Sequence, residues 1–367
     1  MGEGKVLVGL DYRPALIAPH SGIGRQVRAL ETYLEQLPGV EVRRFGCLPV
    51  GHPLRGQVET PVQDMPLLGQ HRPRQRLAFE AGFLPGRLRE LKPDVYIATA
   101  NMGLPLGRVP GVRQVVLIHD LFQLTQVNRH ASAWRAKAYR LIDRSSITYS
   151  LARATRIWTP SAFTAADVAA LFPRVGHRIR LLPNLVELSP VPAEDVPGLV
   201  PGYWLAVGIR EPRKNIARLV AAWQAARTLA AVPNLVLLGE EVDLPPELRG
   251  LPGLICLGGL DEGQLKGLYR NADRLWQPSY AEGFGLPVVE ALAMGTPVAC
   301  AWGSSLDEVT PPWAPRFAAF DVPALSRLMV ELAAPAPRDE QGPAWFARFA
   351  GPAYGARLAE ALQELLR

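Results

Sequence analysis

The chain has 367 residues, 48% hydrophobic and 20% charged, with 40 Lys+Arg against 34 Asp+Glu and a formal charge of +6. This composition excludes an intrinsically disordered chain, the length predicts two domains each with its own core, and no apolar run approaches the roughly 18–20 residues of a membrane span. The charge is uneven: residues 1–188 hold 25 Lys+Arg and 14 Asp+Glu, net +11, whereas residues 189–367 hold 15 and 20, net −5.

From the amino end, Met1–Lys5 runs directly into a strand-like Val6–Asp11, which predicts that no signal peptide precedes the fold. An amphipathic helix follows over Gly22–Leu37, with Ile23, Val27, Leu30 and Leu34 on one face. Further strands are predicted at Val40–Phe45, Asp94–Thr99, Gln114–Asp120, Arg156–Ser161 and Ile179–Pro183, with helices at about 131–151 and 163–171. Residues 49–75, rich in Pro, Gly, Arg and His, read as a long loop. Leu188–Gly202 contains four Pro and two Gly and reads as the linker.

Beyond it the alternation restarts. Strands are predicted at Tyr203–Val207, Asn234–Leu238, Leu254–Leu257, Arg274–Gln277 and Pro297–Ala301. Between them lie helices Ile216–Leu229, Glu262–Tyr269 and Leu286–Met294, and Pro343–Arg367 reads as one or two packing helices. Apolar strands alternating with helices imply parallel sheets covered on both faces. The expected fold class is therefore α/β, two Rossmann-like doubly wound domains facing a central cleft at the carboxyl ends of the strands. Cys47, Cys256 and Cys300 form no CxxC, zinc spacing or disulfide framework, which fits a reducing cytosol.

Two segments of the second half carry chemistry. In Gln277–Pro297 a strand ends, a loop with Gly283 and Gly285 follows, and Pro287 stands where the first turn of a helix tolerates it. Such a helix start offers N–H groups to an anion. Glu282 precedes it and Glu290 lies eight positions on, so the two carboxylates suit different parts of one extended ligand. They are equally compatible with a Glu favoured near a helix N-terminus and a second Glu facing solvent. In Trp204–Asn215 a strand ends at Val207-Gly208 and Arg210, Arg213 and Lys214 follow, cations suited to a diphosphate. Only 5 of the 40 basic residues are Lys, so a compositional bias toward Arg does not explain Lys214. Asn215 reads as either part of this site or the N-cap of the next helix.

The first half adds Ser21-Gly22-Ile23-Gly24-Arg25, a glycine turn after the first strand able to admit phosphate or sugar, and His119-Asp120 at a strand's carboxyl end. With these residues the chain resembles the retaining GT-B glycosyltransferases of family 4 (group 1), especially their mannosyltransferase-like branch. The resemblance is carried by Ser21–Arg25, His119-Asp120, Thr159–Thr164, Leu182-Pro183-Asn184, Glu211-Pro-Arg-Lys-Asn215, Gly259-Leu260, Glu282-Gly-Phe-Gly-Leu-Pro-Val-Val-Glu290 and Gly303–Val309, in the family's order.

The resemblance implies an N-terminal acceptor domain over 1–188, a nucleotide-sugar domain over 199–344, and a C-terminal helix within 345–367 that packs back on the first. It implies Glu282, His119 and Lys214 as catalytic residues. Donor contacts would come from Gly22, Gly24, Arg210, Arg213, Lys214, Gly283, Phe284, Gly285, Leu286 and Glu290. Lys214 and one Arg would neutralise the pyrophosphate, Glu290 would receive the ribose hydroxyls, and Glu282 with the amides of Phe284–Leu286 would orient the sugar. Family members often carry Arg where this chain has Ile209, leaving Arg210 or Arg213 as the second cation.

No DxD carboxylate pair is present, so no metal and no cofactor are expected, and fixed cations with the helix N-terminus would take the metal's place. The expected reaction is transfer of a hexose, mannose first, from GDP-mannose or a UDP-hexose to a glycan or lipid-linked acceptor, with retention, in polysaccharide biosynthesis. The alternatives are a nonhydrolysing sugar-nucleotide epimerase and a non-catalytic binding protein of the same fold. The basic residues are dispersed and accompany no recognition motif, which argues against nucleic acid. A cytoplasmic enzyme is expected, with the basic half favouring an acidic acceptor or peripheral contact with the anionic inner face of the membrane.

Overall fold

In the computed structural model the described residues are 5–67, 72–125, 133–188 and 190–367. The readings at Met1–Gly4, at 68–71 within the predicted loop, at 131–132 in the predicted helix and at Ser189 in the linker lie outside them. The chain divides into two compact units, Met1–Leu185 with Tyr354–Arg367, and Val186–Ala353.

The first unit holds seven strands: β1 (Val6–Asp11), β2 (Val40–Phe45), β3 (Val58–Glu59), β4 (Val95–Ala98), β5 (Arg113–Leu117), β6 (Arg156–Thr159) and β7 (Ile179–Leu181). They form one parallel sheet in the order β3-β2-β1-β4-β5-β6-β7. Its two faces bury separate clusters, one around Phe45, Phe79, Tyr96 and Ile157, the other around Leu10, Leu30, Ile97 and Trp158. β3 corrects the reading of 49–75 as loop. Two residues suffice to add an edge strand, too short for alternation to reveal.

The second unit holds β8 (Tyr203–Val207), β9 (Leu235–Leu238), β10 (Leu254–Leu257), β11 (Ala272–Gln277), β12 (Val298–Ala301) and β13 (Arg316–Phe317). They also pair in parallel, in the order β10-β9-β8-β11-β12-β13. β8 and β12 are apolar throughout, and β11 is buried at every residue but Asp273, because helices cover both faces of the sheet. In each sheet the strand order reverses once, between β1 and β4 and between β8 and β11. Those are the points where doubly wound sheets open a crevice at their carboxyl ends.

Two expectations change at the unit boundaries. Leu188–Gly202 is no loose linker: its described residues are strapped along helix Glu262–Asn271. There Lys266 Nζ donates to Val191 O at 2.6 Å, Arg270 and Asn271 hold Asp195 at 2.7 and 2.8 Å, and a Cβ on Gly267 would stand 1.7 Å from Glu194 O. The expected returning helix 345–367 divides. Trp345, Phe346 and Phe349 pack into the second unit's core, and helix Gly351–Leu366 places Tyr354, Leu358, Leu362 and Leu365 in the first unit's. No helix among the described residues is long and apolar enough to cross a membrane.

Candidate active site

The second sheet's reversal point gathers the strongest candidates. After β8 the chain passes Gly208, whose φ of +91° favours glycine, and whose missing side chain lets the Lys214 stem lie across it. A Cβ there would meet Lys214 Cε at 3.3 Å and Cγ at 3.4 Å. Ile209, where an Arg was expected, instead covers Gly239: a Cβ on Gly239 would be 2.8 Å from Ile209 Cδ1. A short turn over Pro212–Lys214 then presents Arg213 and Lys214 side by side.

Asn215 closes that turn in the left-handed region, φ +60°, with no capping bond from its side chain. Its Nδ2 donates to Pro278 O at 3.1 Å and Ala319 O at 2.5 Å, and its Oδ1 accepts from Arg218 Nη1 at 3.0 Å. Asn215 thus stands at the N-cap position of helix Ile216–Arg227, as that alternative has it, but its side chain makes no capping bond and reaches other elements instead. Asn215 ties the β8 turn to the chain leaving β11 and β13. The Tyr280 N–H adds a bond to Arg213 O at 3.1 Å.

Glu282, 4% exposed, faces this turn. Its Oε1 accepts from Lys214 Nζ at 2.6 Å, Ser279 Oγ at 2.8 Å and Gln277 Nε2 at 3.0 Å, and its Oε2 accepts from Arg213 Nη1. Burial alone pushes this carboxyl up, but Lys214 and Arg213 outweigh it and hold it below the usual carboxylate range. Arg213 is held from behind by Glu211 at 2.6 Å. Of the two arginines left open by the sequence, Arg213 meets Glu282, while the exposed Arg210 pairs with Asp243 at 2.6 Å, apart from the cluster.

Gly283 and Phe284 are buried after Glu282, and the Phe284 ring packs edge-on against Phe349 at 5.5 Å, which leaves its backbone as the part available to a ligand. Gly285, φ +105°, precedes helix Leu286–Ala293, with Pro287 in the first turn. Glu290 is 8% exposed, which overturns the solvent-facing alternative, and its Oε2 accepts from Tyr269 Oη at 2.8 Å. Ser305 Oγ donates to Glu282 O at 2.7 Å and so pins the glycine loop from the β12 side.

The first unit places its candidates at its own sheet's carboxyl end. His119 is buried two residues past β5. Its Nε2 stands 2.7 Å from Thr99 O, its N–H donates to Asn101 Oδ1 at 2.7 Å, and Thr164 Oγ1 bonds its carbonyl. A carbonyl only accepts, so Nε2 carries the proton and the neutral ring has its lone pair on Nδ1. Burial pushes its pKa down. Gly22 opens helix Gly22–Glu35 behind the N-cap Ser21, whose Oγ takes the Gly24 N–H at 3.0 Å. A Cβ on Gly24 would lie 2.1 Å from Ala18 O, so this glycine has a packing reason.

Residues 20–190 match Glycosyltransferase Family 4 and residues 201–319 match Glycosyl transferases group 1, matches that together take in most of both units. The chain belongs to the group 1 glycosyltransferases. This group 1 chain is 33% identical over 214 residues to the O-antigen chain mannosyltransferase B of Escherichia coli, covering 54% of this chain and 55% of that one. It spans about half the length of the curated relatives it matches. Two solved structures share its fold. Sucrose-phosphate synthase of Thermosynechococcus elongatus is 19% identical at a TM-score of 0.69 over 98% of this chain and 99% of that one. HepE of Anabaena, in complex with UDP and glucose, is 17% identical at 0.66 over 98% and 99%. The fold is GT-B.

Reading the motifs of this chain missed the groups that hold Glu282. Gln277 and Ser279 lie in the quoted segment but drew no role, and Ser305 lies in the Gly303–Val309 motif. It also missed the charged cluster of the first unit. Arg13 Nη2 donates to Asp11 Oδ2 at 2.7 Å and to Glu80 Oε1 at 3.3 Å, with the guanidinium 4.2 Å from the Phe79 ring centre. Sixty-seven residues separate Arg13 from Glu80, and no local pattern joins them.

Proposed function

We propose that this chain transfers a hexose, mannose first, from a nucleotide-diphosphate sugar to a glycan or lipid-linked acceptor, with retention of anomeric configuration and without a metal. The observation that carries this reading is the Arg213–Glu282–Lys214 cluster at the point where the second sheet reverses. Breaking a glycosyl–phosphate bond leaves negative charge on the nucleoside diphosphate. Two cations fixed beside a glycine loop and a helix start answer that charge without reorganising. The E. coli relative supports mannose, and the UDP and glucose of HepE support a nucleotide-diphosphate donor with UDP-hexose as the second choice.

Each residue then takes one task. Lys214 and Arg213 neutralise the diphosphate, and Glu290, held by Tyr269, receives the ribose hydroxyls. Glu282 and the amides of Phe284–Leu286 orient the sugar. Glu282 faces sugar hydroxyls rather than the anomeric carbon, so substitution proceeds on the front face through an oxocarbenium-like state. His119 offers a neutral, oriented ring at the carboxyl end of the first unit's sheet, with Gly22 and Gly24 on the same unit. The basic first half favours an acidic acceptor or one held at an anionic membrane surface.

The test is a panel of GDP-mannose and UDP-hexoses incubated with and without lipid-linked acceptors. Labelled hexose in the acceptor, undiminished by EDTA, is expected. An isomerised nucleotide sugar without acceptor would instead establish the epimerase, and no binding or turnover of any donor would overturn the donor site.

A further inference from the structure

We propose that Glu282 is an exchangeable anion: it neutralises Arg213 and Lys214, the donor's diphosphate takes both cations over, and Gln277 and Ser279 are the positioning residues that keep the carboxylate in place through the exchange. The proposal rests on the donor-site reading above and adds to it a competition inside the site and two residues with a role in it.

A carboxylate has about four lone-pair sites. Glu282 already accepts from Lys214, Ser279 and Gln277 on Oε1 and from Arg213 on Oε2, so a sugar hydroxyl competes with these donors for it. The donors fall into two classes. Lys214 and Arg213 reach in on long side chains from the turn after β8, and a diphosphate offers them more charge than one carboxylate does. Ser279 and Gln277 are 0% and 1% exposed and sit on the same strand end and loop as Glu282. Gln277 Nε2 bonds Ser279 Oγ at 2.8 Å as well as Glu282 at 3.0 Å, so the pair holds itself and the carboxylate together. The buried Gln277 Oε1 has no hydrogen-bond partner, and the amide serves only through its donor half.

The backbone is anchored independently of the exchange. Ser305 Oγ bonds Glu282 O at 2.7 Å. Electrostatics explain why the two cations need this anion. Arg213 and Lys214 side chains are only 13% and 11% exposed, and two such cations without a counter-charge would cost heavily. Glu282 removes that cost, and the donor must then displace it. The same carboxylate recaptures the cations when the nucleoside diphosphate leaves, which favours product release.

Calorimetric titration of UDP and GDP into the full-length protein and its Glu282→Gln variant tests the competition. The variant lacks the competing charge and is expected to bind the nucleoside diphosphate about three- to tenfold more tightly. Binding equal to or weaker than wild type overturns the exchange while leaving the donor site standing. No binding of either nucleotide by either protein overturns the donor-site reading and the exchange with it. If Glu282→Gln does not fold, Glu282→Asp, which withdraws the charge by one methylene, is expected to shift affinity in the same direction by less.

Ser279→Ala tests the positioning half by a readout separate from activity. The charged groups facing Glu282 are Lys214 and Arg213, with Glu211 behind Arg213, while Gln277, Ser279 and Ser305 are neutral. Removing a hydrogen bond to the charged form raises the folded-state pKa toward the unfolded one, so the Tm deficit of Ser279→Ala against wild type is expected to close as pH falls below about 4.5. Gln277→Glu, placing a second carboxylate beside the first, is expected to show a larger deficit at neutral pH that closes further in acid. A Tm lowered equally at every pH would assign Ser279 to packing alone and overturn its positioning role.

Discussion

At the scale of single residues, Asn215 and Glu282 were both in view in the sequence, yet their partners were not. Asn215 was legible as part of the cation site or as the N-cap of the next helix, but its bonds to Pro278 O and Ala319 O join positions 63 and 104 residues away. Asn215→Ala removes both buried bonds and leaves a Cβ residue in the left-handed region without the side chain that favours it. A loss of about 2–4 kcal/mol is expected in denaturant melts. Asn215→Gly, which relieves only the backbone strain, should recover part of it.

Glu282 makes a second prediction, with a definite sign. Its folded-state pKa lies below the unfolded value, so its stabilising contribution is present above about pH 4.5 and is lost as pH falls through the folded value. Wild-type Tm should therefore fall more steeply than that of Glu282→Gln as pH is lowered below that point. Parallel curves would contradict the ion-pair account.

At the scale of elements, alternation made most of both sheets legible, because buried parallel strands are apolar runs separated by helices. What it did not show were the two-residue edge strands β3 and β13, which need only a neighbour's free edge. The glycine loops were legible as loops, but not which requirement each glycine meets. Gly285 combines φ +105° with a space bounded by Leu306 Cδ2 at 2.9 Å and Val309 Cγ2 at 3.1 Å. Gly285→Ala should cost about 1–3 kcal/mol, mostly backbone strain, and weaken nucleotide binding because the helix start moves. Gly24→Ala meets a backbone oxygen rather than a yielding side chain and should cost about 2–3 kcal/mol with no effect on nucleotide binding by the second unit. Thermal melts and titrations of the two variants separate a site glycine from a packing glycine.

At the scale of the whole molecule, the chain's last residues complete its first unit, which an amphipathic tail predicts only when a partner surface is known. Tyr354, Leu358, Ala361, Leu362 and Leu365 are all under 5% exposed. Each large side chain contributes about 1.5–3 kcal/mol on burial, a sum comparable with the whole stability of a domain. Deleting residues 354–367 should leave the first unit without cooperative folding by circular dichroism. The charge contrast belongs to this scale too. With net +11 on residues 1–188, sedimentation with anionic vesicles should exceed that with neutral ones, about 1 kcal/mol for each cation near the surface, and equal sedimentation would remove the membrane contact.

The central claim is that Lys214 and Glu282 perform the donor chemistry together, and the most direct measurement is nucleoside diphosphate released from the preferred nucleotide sugar by wild type, Lys214→Ala and Glu282→Gln. Losses of about 100-fold or more are predicted in both variants, with far-ultraviolet spectra like wild type's. Wild-type rates in both folded variants would contradict the account.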